Sequence, residues 1–243
     1  LILFSTYSAL SLGQTWDEGH LSRQGQITIN YLLSLGRIDE DVFRREYYSP
    51  IYYSLKYLFL QTFPMKYQVE ANHLVNLIFS FGVIFGIKQL CKELFNKKVA
   101  NITFLVLFFF PAFHGHMSFN SKDTIIAFCH VWIFYSLIKY LKNQSVDQNS
   151  KYFYNIGILS AVGTGINLFF LGSLIPVFLF VFYEVFFAKK ICNKNFKKKK
   201  LFLDIFKSFF IFYFLLVFFW IDTHPNIFIL PFKFFIEWSF SDL

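Results

Sequence analysis

Charge is scarce in this chain. Of its 243 residues only 16% are charged, against roughly 25% in a soluble domain. Hydrophobic residues make up 56%, and Phe alone occurs 38 times. That balance, with its long apolar runs, excludes an ordinary soluble domain and predicts a polytopic membrane protein. Cysteine is scarce as well. Cys91, Cys129 and Cys192 lie far apart with no CxxC spacing, which supports neither a disulfide framework nor a zinc site. Walker A, GxGxxG, HExxH and GxSxG sequences are all missing, so nucleotide-driven and serine-hydrolase chemistry have no support. No repeat of about 20–50 residues recurs.

The charge that is present is sided. The net charge is +8, and the lysines gather at the ends of apolar runs: Lys88, Lys92, Lys97 and Lys98, then Lys139, Lys142 and Lys151, then Lys189, Lys190, Lys194 and Lys197–Lys200. This is the positive-inside pattern of a membrane protein and not a basic face for nucleic acid. Membrane lipid is therefore an expected partner, with the Lys197–Lys200 run facing anionic headgroups, and nucleic acid is not.

Taken in order, Leu1–Leu12 reads as the second half of a first span closed by Gly13, so the chain is expected to continue before Leu1, and beyond Leu243. Thr15 reads as a helix N-cap with Glu18 completing a capping box. From there to Leu35 an amphipathic helix is expected to lie along the interface, with Gly36 closing it. Ile38–Ser49, rich in Asp, Glu and Arg, reads as a solvated loop. Pro50 opens the aromatic run Ile51–Phe63, which is short against the roughly 20 residues of a span and reads as a half-buried helix. Expected spans follow at Leu74–Leu90, Val99–Phe113, Thr124–Leu141 and Leu201–Ile221. Asn155–Phe187 reads as two tilted or broken helices turning near Leu171–Ser173. Ile227–Phe240, interrupted by Pro231, reads as interfacial. With these spans every lysine cluster falls on one side and the acids Asp17–Glu46, Asp123, Asp222 and Glu237 on the other. Making Ile51–Phe63 a span would break that parity. The expected fold is all-α: a single polytopic transmembrane domain over 1–243, with amphipathic interfacial helices in a long first outer loop at 13–72.

Three constellations could carry chemistry. The first is Asp17-Glu18-Gly19-His20. Acids in a first helical turn suit the helix dipole, and Glu18 is accounted for by the cap. Asp17 has no capping duty. A carboxylate held partly desolvated at a membrane surface suits accepting a proton from a hydroxyl, which makes Asp17 the expected general base and Glu18 its support. The second runs from Pro111 through His114, His116, Asn120 and Lys122 to Asp123. Asn120 can cap the following helix with Asp123 in its first turn, but a cap leaves the two histidines and the lysine unexplained. Lys122 can place a point charge on a phosphate. An HxH pair lacking a clustered third ligand is weak as a metal site, so His116 is read as a hydrogen-bonding group and no metal or other cofactor is assigned, a divalent ion being the alternative. The third is Trp220 to Asn226, where Asp222 and His224 either line the same outer site or form a solvated helix end.

With Asp17-Glu18-Gly19-His20 following a first span, the chain resembles the membrane-embedded GT-C glycosyltransferases, and most closely their protein O-mannosyltransferase-like and aminoarabinose-transferase-like branches. The similarity continues through Ser49-Pro50-Ile51-Tyr52-Tyr53, then through Lys92–Lys98 to Phe110-Pro111 and Phe119-Asn120-Ser121-Lys122-Asp123. It covers most of the chain. The resemblance implies an enzyme that moves a sugar, with inversion, from a polyprenyl-phosphate-linked donor to an acceptor hydroxyl on the periplasmic or lumenal face. It would make Asp17 the base that deprotonates the acceptor. Lys122, together with Arg23, would stabilise the leaving phosphate, and His20, His116, Asn120, Asp123, Asp222 and His224 would line the substrates. The sequence lacks the doubled proline of some members, and Gly19 stands where a bulkier residue is frequent, so the acceptor stays open. The rival expectation is a transporter or lipid flippase, whose pathway would be lined by intramembrane charges and Gly/Pro-broken helices.

Overall fold

In a computed structural model, residues 2–37, 49–144, 150–192 and 196–240 are described, and no strand occurs among them. Eleven α-helices follow in order among those residues: α1 (Ile2–Ser11), α2 (Trp16–Leu33), α3 (Ile51–Leu60), α4 (Gln68–Leu94), α5 (Lys97–Phe109), α6 (Pro111–His116), α7 (Ser121–Asn143), α8 (Ser150–Ile166), α9 (Phe169–Tyr183), α10 (Lys198–Phe219) and α11 (Leu230–Phe240). A 3-10 turn, Met65–Tyr67, leads into α4, a π turn, Glu184–Ala188, prolongs α9, and a second 3-10 turn, Ile221–Asn226, follows α10. Four stretches are long and apolar enough to cross a membrane: Met65–Leu94, Ser121–Asn143, Phe169–Ala188 and Lys198–Phe219. The chain is an all-α, multi-pass membrane protein.

The two ends of the bundle differ chemically. At one end Lys139 and Lys142 both meet Glu93, at 3.1 and 3.6 Å. Gln144 donates to the Lys197 carbonyl at 2.9 Å. The buried Asp204 accepts from Tyr140 Oη at 2.8 Å and Ser150 Oγ at 2.9 Å. These contacts gather the α4–α5 turn, the end of α7 and the starts of α8 and α10, so the lysine clusters of those segments share one end. The opposite end holds α2, α3 and the α6–α7 segment.

Helix α3 has ten residues, about 15 Å at 1.5 Å per residue, too short to cross. It is the half-buried helix the sequence suggests: Leu55, Leu58 and Phe59 are exposed while its first turn is buried, and the reason for that burial lies beneath it. His130, nine residues or roughly 13 Å down α7, bonds Ser173 of α9 at 2.7 Å and meets the Phe170 ring. The α8–α9 turn therefore stops well below the outer end of α7, and the first turn of α3 fills the space above it. Ile51 is buried with Leu168, Leu216 and Trp220, and Ser49 Oγ donates to the Leu216 carbonyl at 2.8 Å. The fit is tight: a Cβ on Gly165 of α8 would lie 2.4 Å from the Ser49 carbonyl oxygen, and one on Gly25 of α2 would lie 2.3 Å from that of Tyr53.

Several boundaries depart from the sequence expectation, each for a local reason. The break in the Asn155–Phe187 stretch falls at Asn167, not near Leu171–Ser173, because Asn167 Oδ1 caps the Phe169 N–H at 2.9 Å. Gly172 sits inside α9. The outward run from Val99 is divided at Phe110, where Pro111 opens α6 at the first helical position, as its missing N–H allows. α4 starts at Gln68 rather than Leu74, and within this added stretch Asn72 Nδ2 and His73 have partners inside the protein. Helix α2 forms where expected and ends through Leu35 and Gly36, both at positive φ. The solvated loop expected over Ile38–Ser49 lies, except for Ser49, outside the described residues.

Candidate functional site

The capping box at the start of α2 forms as its residue types dictate. The Thr15 N–H donates to Glu18 Oε2 at 2.8 Å. A helix turns about 100° per residue, so Asp17 and Glu18 cannot share an environment. Glu18 points inward and is 4% exposed, whereas the Asp17 side chain is 65% exposed. The partly desolvated acid expected at Asp17 is thus a solvated one, and the buried acid is Glu18.

Asp17 faces the α6–α7 segment. Its Oδ2 lies 3.5 Å from Lys122 Nζ, joining residues 105 apart in the chain. Around this pair opens a cavity of about 430 Å³ lined by Trp16, Asp17, His116, Asn120, Lys122 and Asp123, with Thr15, Glu18, Leu21, Phe119 and Ser121 completing its wall. Asn120 holds the rim in place: its Oδ1 caps α7 at the Asp123 N–H, 3.1 Å, and its Nδ2 donates to Asp123 Oδ2 at 2.9 Å. The exposed Asp17–Lys122 pair contributes about 0–1 kcal/mol to stability. Its two charges can therefore exchange each other for a ligand at small cost.

Five of the ten sequence-selected site residues border this space with their charged or polar groups: Asp17, His116, Asn120, Lys122 and Asp123. Glu18 forms part of its wall from behind. The other four do not line it. His20 is exposed on α2 and bonds Gln24 at 3.0 Å, and Arg23 is exposed one turn further on. His224 Nε2 bonds the Val217 and Phe218 carbonyls at 3.1 and 3.2 Å, closing the end of α10, and its ring meets Tyr31. Tyr31 is 14 residues along α2 from Asp17, roughly 20 Å away, which removes both His224 and Asp222 of the same 3-10 turn from the cavity. His114 also turns away, its Nε2 3.1 Å from Ser5 Oγ and its ring stacked on Phe4, so the two histidines of the HxH pair do not converge. Among the described residues no three His, Cys, Asp or Glu side chains come together as a metal site.

What sequence reasoning missed lies behind Glu18. Asn72 Nδ2 donates to Glu18 Oε1 at 3.0 Å, and His73 Nε2 lies 3.0 Å from the same oxygen. His73 is fully buried, with Nδ1 3.0 Å from the Ala9 carbonyl. A carbonyl only accepts, so Nδ1 carries a proton, and with Nε2 against a carboxylate the ring is satisfied as an imidazolium. Burial pushes the Glu18 carboxyl up, but the hydrogen bonds from His73 and Thr15 and the imidazole charge outweigh it and hold the group below the ordinary value. Further along α4, Asn76 accepts from Tyr52 Oη at 3.1 Å and donates to the Ser118 carbonyl at 3.2 Å, and Ser80 donates to the Met117 carbonyl at 2.8 Å. Asn72, Asn76 and Ser80 recur every four residues, one face of a helix. That spacing of polar residues inside an apolar run was the available signal. The stripe is a fixture: it locks α2 and the α6–α7 segment against α4 and so sets Asp17 opposite Lys122.

Set against family models, curated proteins and solved structures, the chain has no match in any of the three.

Proposed function

We propose that the chain belongs to a membrane glycosyltransferase that moves a sugar from a polyprenyl-phosphate-linked donor to an acceptor hydroxyl, of protein, lipid or glycan, at the outer end of the bundle. The observation that carries this reading is the solvated Asp17 carboxylate paired with the Lys122 ammonium, 3.5 Å apart, on the wall of an open cavity. A cavity of about 430 Å³ falls within the roughly 300–1,000 Å³ of small-molecule sites. Asp17 takes the proton of the acceptor hydroxyl as its oxygen forms a bond to the anomeric carbon. The bond from that carbon to the phosphate oxygen breaks on the opposite face, and the electron pair leaves with the polyprenyl phosphate. Lys122, parted from its weak, exposed pair with Asp17 as the substrates enter, balances the charge that develops there. His116, Asn120 and Asp123 supply hydrogen-bonding groups to the sugar. The positive-inside pattern supports an outward position for this end, which on this reading is the periplasmic face of a bacterial inner membrane or, in a eukaryote, the lumenal face of the endoplasmic reticulum.

A transporter reading draws less support. Asn72, His73, Asn76 and Ser80 of α4 are occupied in fixing neighbouring segments and do not line a path across the membrane.

The test uses membranes containing the full protein, a radiolabelled polyprenyl-phosphate sugar and a hydroxyl acceptor. Asp17→Asn should lower transfer by about 10²–10⁴-fold, the range of general-base catalysis, with insertion and expression unchanged. Full transfer by that variant would remove the catalytic assignment. Uptake into proteoliposomes without a lipid-linked donor would favour transport instead.

A further inference from the structure

Glu18 has a second cavity on its other flank. It measures about 190 Å³ and is bounded by Gln14 and Ser22 of the α2 region, Lys56 and Leu60 of α3, and Met65, Gln68, Val69 and Asn72 at the start of α4. Lys56 is its singular feature. The residue is 5% exposed, yet its ammonium makes no hydrogen bond or ion pair with any described residue. Its contacts are the faces of Tyr52 and Tyr53, one turn back on the same helix, at 5.3 and 5.4 Å. Ring faces attract a cation but do not satisfy three N–H donors. A lysine this buried is ordinarily paired.

The nearest carboxylate cannot supply that pairing. Glu18 Oε1 is taken by Asn72 and His73, and Oε2 by the Thr15 N–H, so its charge is matched by the His73 side. Lys56 feels Glu18 at a distance, while burial brings its ammonium down to about 8. The rest of the wall divides into two. Gln14, Ser22 and Gln68, the last also bonding the Phe63 carbonyl at 3.4 Å, bring hydrogen-bonding side chains to the cavity wall, and Leu60, Met65 and Val69 give an apolar edge at the start of a candidate span. The volume lies below the roughly 300 Å³ where sites for drug-sized ligands begin, which suits a headgroup better than a sugar carried on a lipid.

We propose that this cavity is a binding site for a phosphate-class oxyanion, with Lys56 supplying the counter-charge and Gln14, Ser22 and Gln68 the surrounding hydrogen bonds. The ligand is a phosphate group on a lipid, its chain running along Leu60, Met65 and Val69, or the free anion. The site is separate from the Asp17 cavity and does not depend on the glycosyl-transfer reading.

Two arms separate the sources, both on the full protein in a neutral, phosphate-free detergent. In the first, inorganic phosphate is titrated and the thermal unfolding midpoint followed. In the second, the protein is reconstituted with phosphatidylglycerol or with phosphatidylcholine, and native mass spectrometry counts the lipids retained after extraction. Wild type should be raised in midpoint by phosphate, or should hold phosphatidylglycerol in preference to phosphatidylcholine. Lys56→Met, which keeps the packing on the two tyrosine rings, should weaken whichever response is seen at least tenfold. Ser22→Phe, which keeps the charge and fills the mouth, should do the same and is decisive if the Lys56 variant does not fold. Asp17→Asn should bind as wild type. A response confined to the lipid assigns the site to a headgroup, and one in both arms to the phosphate group itself. A wild type that answers to neither anion overturns the proposal. So does a phosphate or lipid response that survives in the folded Lys56→Met variant.

Discussion

Glu18 holds three partners that no other side chain can serve. Replacing it with Gln leaves one oxygen where there were two and puts an N–H₂ against the donors of His73 or Thr15. Removing one partner of a buried ion pair costs about 3–5 kcal/mol, whereas the exposed Asp17–Lys122 contact contributes about 0–1 kcal/mol. Glu18→Gln is therefore expected to lower the thermal midpoint by roughly 10 °C at about 2–4 °C per kcal/mol, and Asp17→Asn to leave it nearly unchanged. The pH dependence follows from the lowered Glu18 carboxyl. Such an acid contributes stability that is complete above its unfolded value of about 4.5 and is lost as pH falls through its lower folded value. Unfolding followed across that acid range should show the loss in wild type and not in Glu18→Gln. The same residue explains what was and was not legible in the sequence. Thr15, Asn120 and Asp123 announce themselves through cap spacing, a local rule. Asp17 stood out because it lacked a cap duty, and Lys122 because it sat in a short outer loop. His73 and Lys56 obey no local rule, and Asn72 shows only through its four-residue spacing to Asn76 and Ser80. Their significance is a meeting of α2, α3 and α4 that only tertiary packing makes, and the apolar run chosen as a span starts just after His73.

At the scale of elements, α3 is the piece whose burial a hydropathy reading states but does not explain, because it depends on a space left by other helices. Its contacts are backbone to backbone at two glycines. A Cβ at Gly25 meets the Tyr53 carbonyl, and one at Gly165 meets the Ser49 carbonyl and the Ile51 side chain, so neither clash can be relieved by a rotamer change. Gly25→Ala and Gly165→Ala are each expected to cost about 1–3 kcal/mol, the range of overpacking. Gly172→Ala, inside α9 with open space around its Cβ position, is expected to stabilise by about 0.5–1 kcal/mol through helix preference. Unfolding of the three variants in detergent distinguishes the cases, and a neutral Gly25→Ala would remove the close approach of α2 and α3. Gly172 also explains the misplaced break in the Asn155–Phe187 stretch. Gly172 lies within the expected Leu171–Ser173 turn, but a glycine tolerates a helix, while Asn167 supplies a side-chain acceptor that ends one helix and begins the next.

For the whole molecule, sidedness is the property on which the outward placement of the Asp17 cavity rests, and α4 offers the direct check. Its 27 residues cover about 40 Å at 1.5 Å per residue, more than the roughly 30 Å of a hydrocarbon core, so the residues flanking it belong in different compartments. Lys66 precedes it and Lys97 follows it, and both are exposed. The lysine end of the bundle is tied together through Glu93, Gln144 and Asp204, so one measurement at α4 fixes that end for the starts of α8 and α10 too. With Cys91, Cys129 and Cys192 replaced by Ser, Lys66→Cys should react with an impermeant maleimide in intact cells. Lys97→Cys should react only after the membrane is opened. The reverse pattern would place the Asp17 cavity on the cytoplasmic side, where a lipid-linked donor presented outside could not reach it, and equal labelling of both would mean that α4 does not cross. The expected pattern leaves the acid end facing outward, with Asp17, Lys122 and the Lys56 cavity all within reach of the outer leaflet.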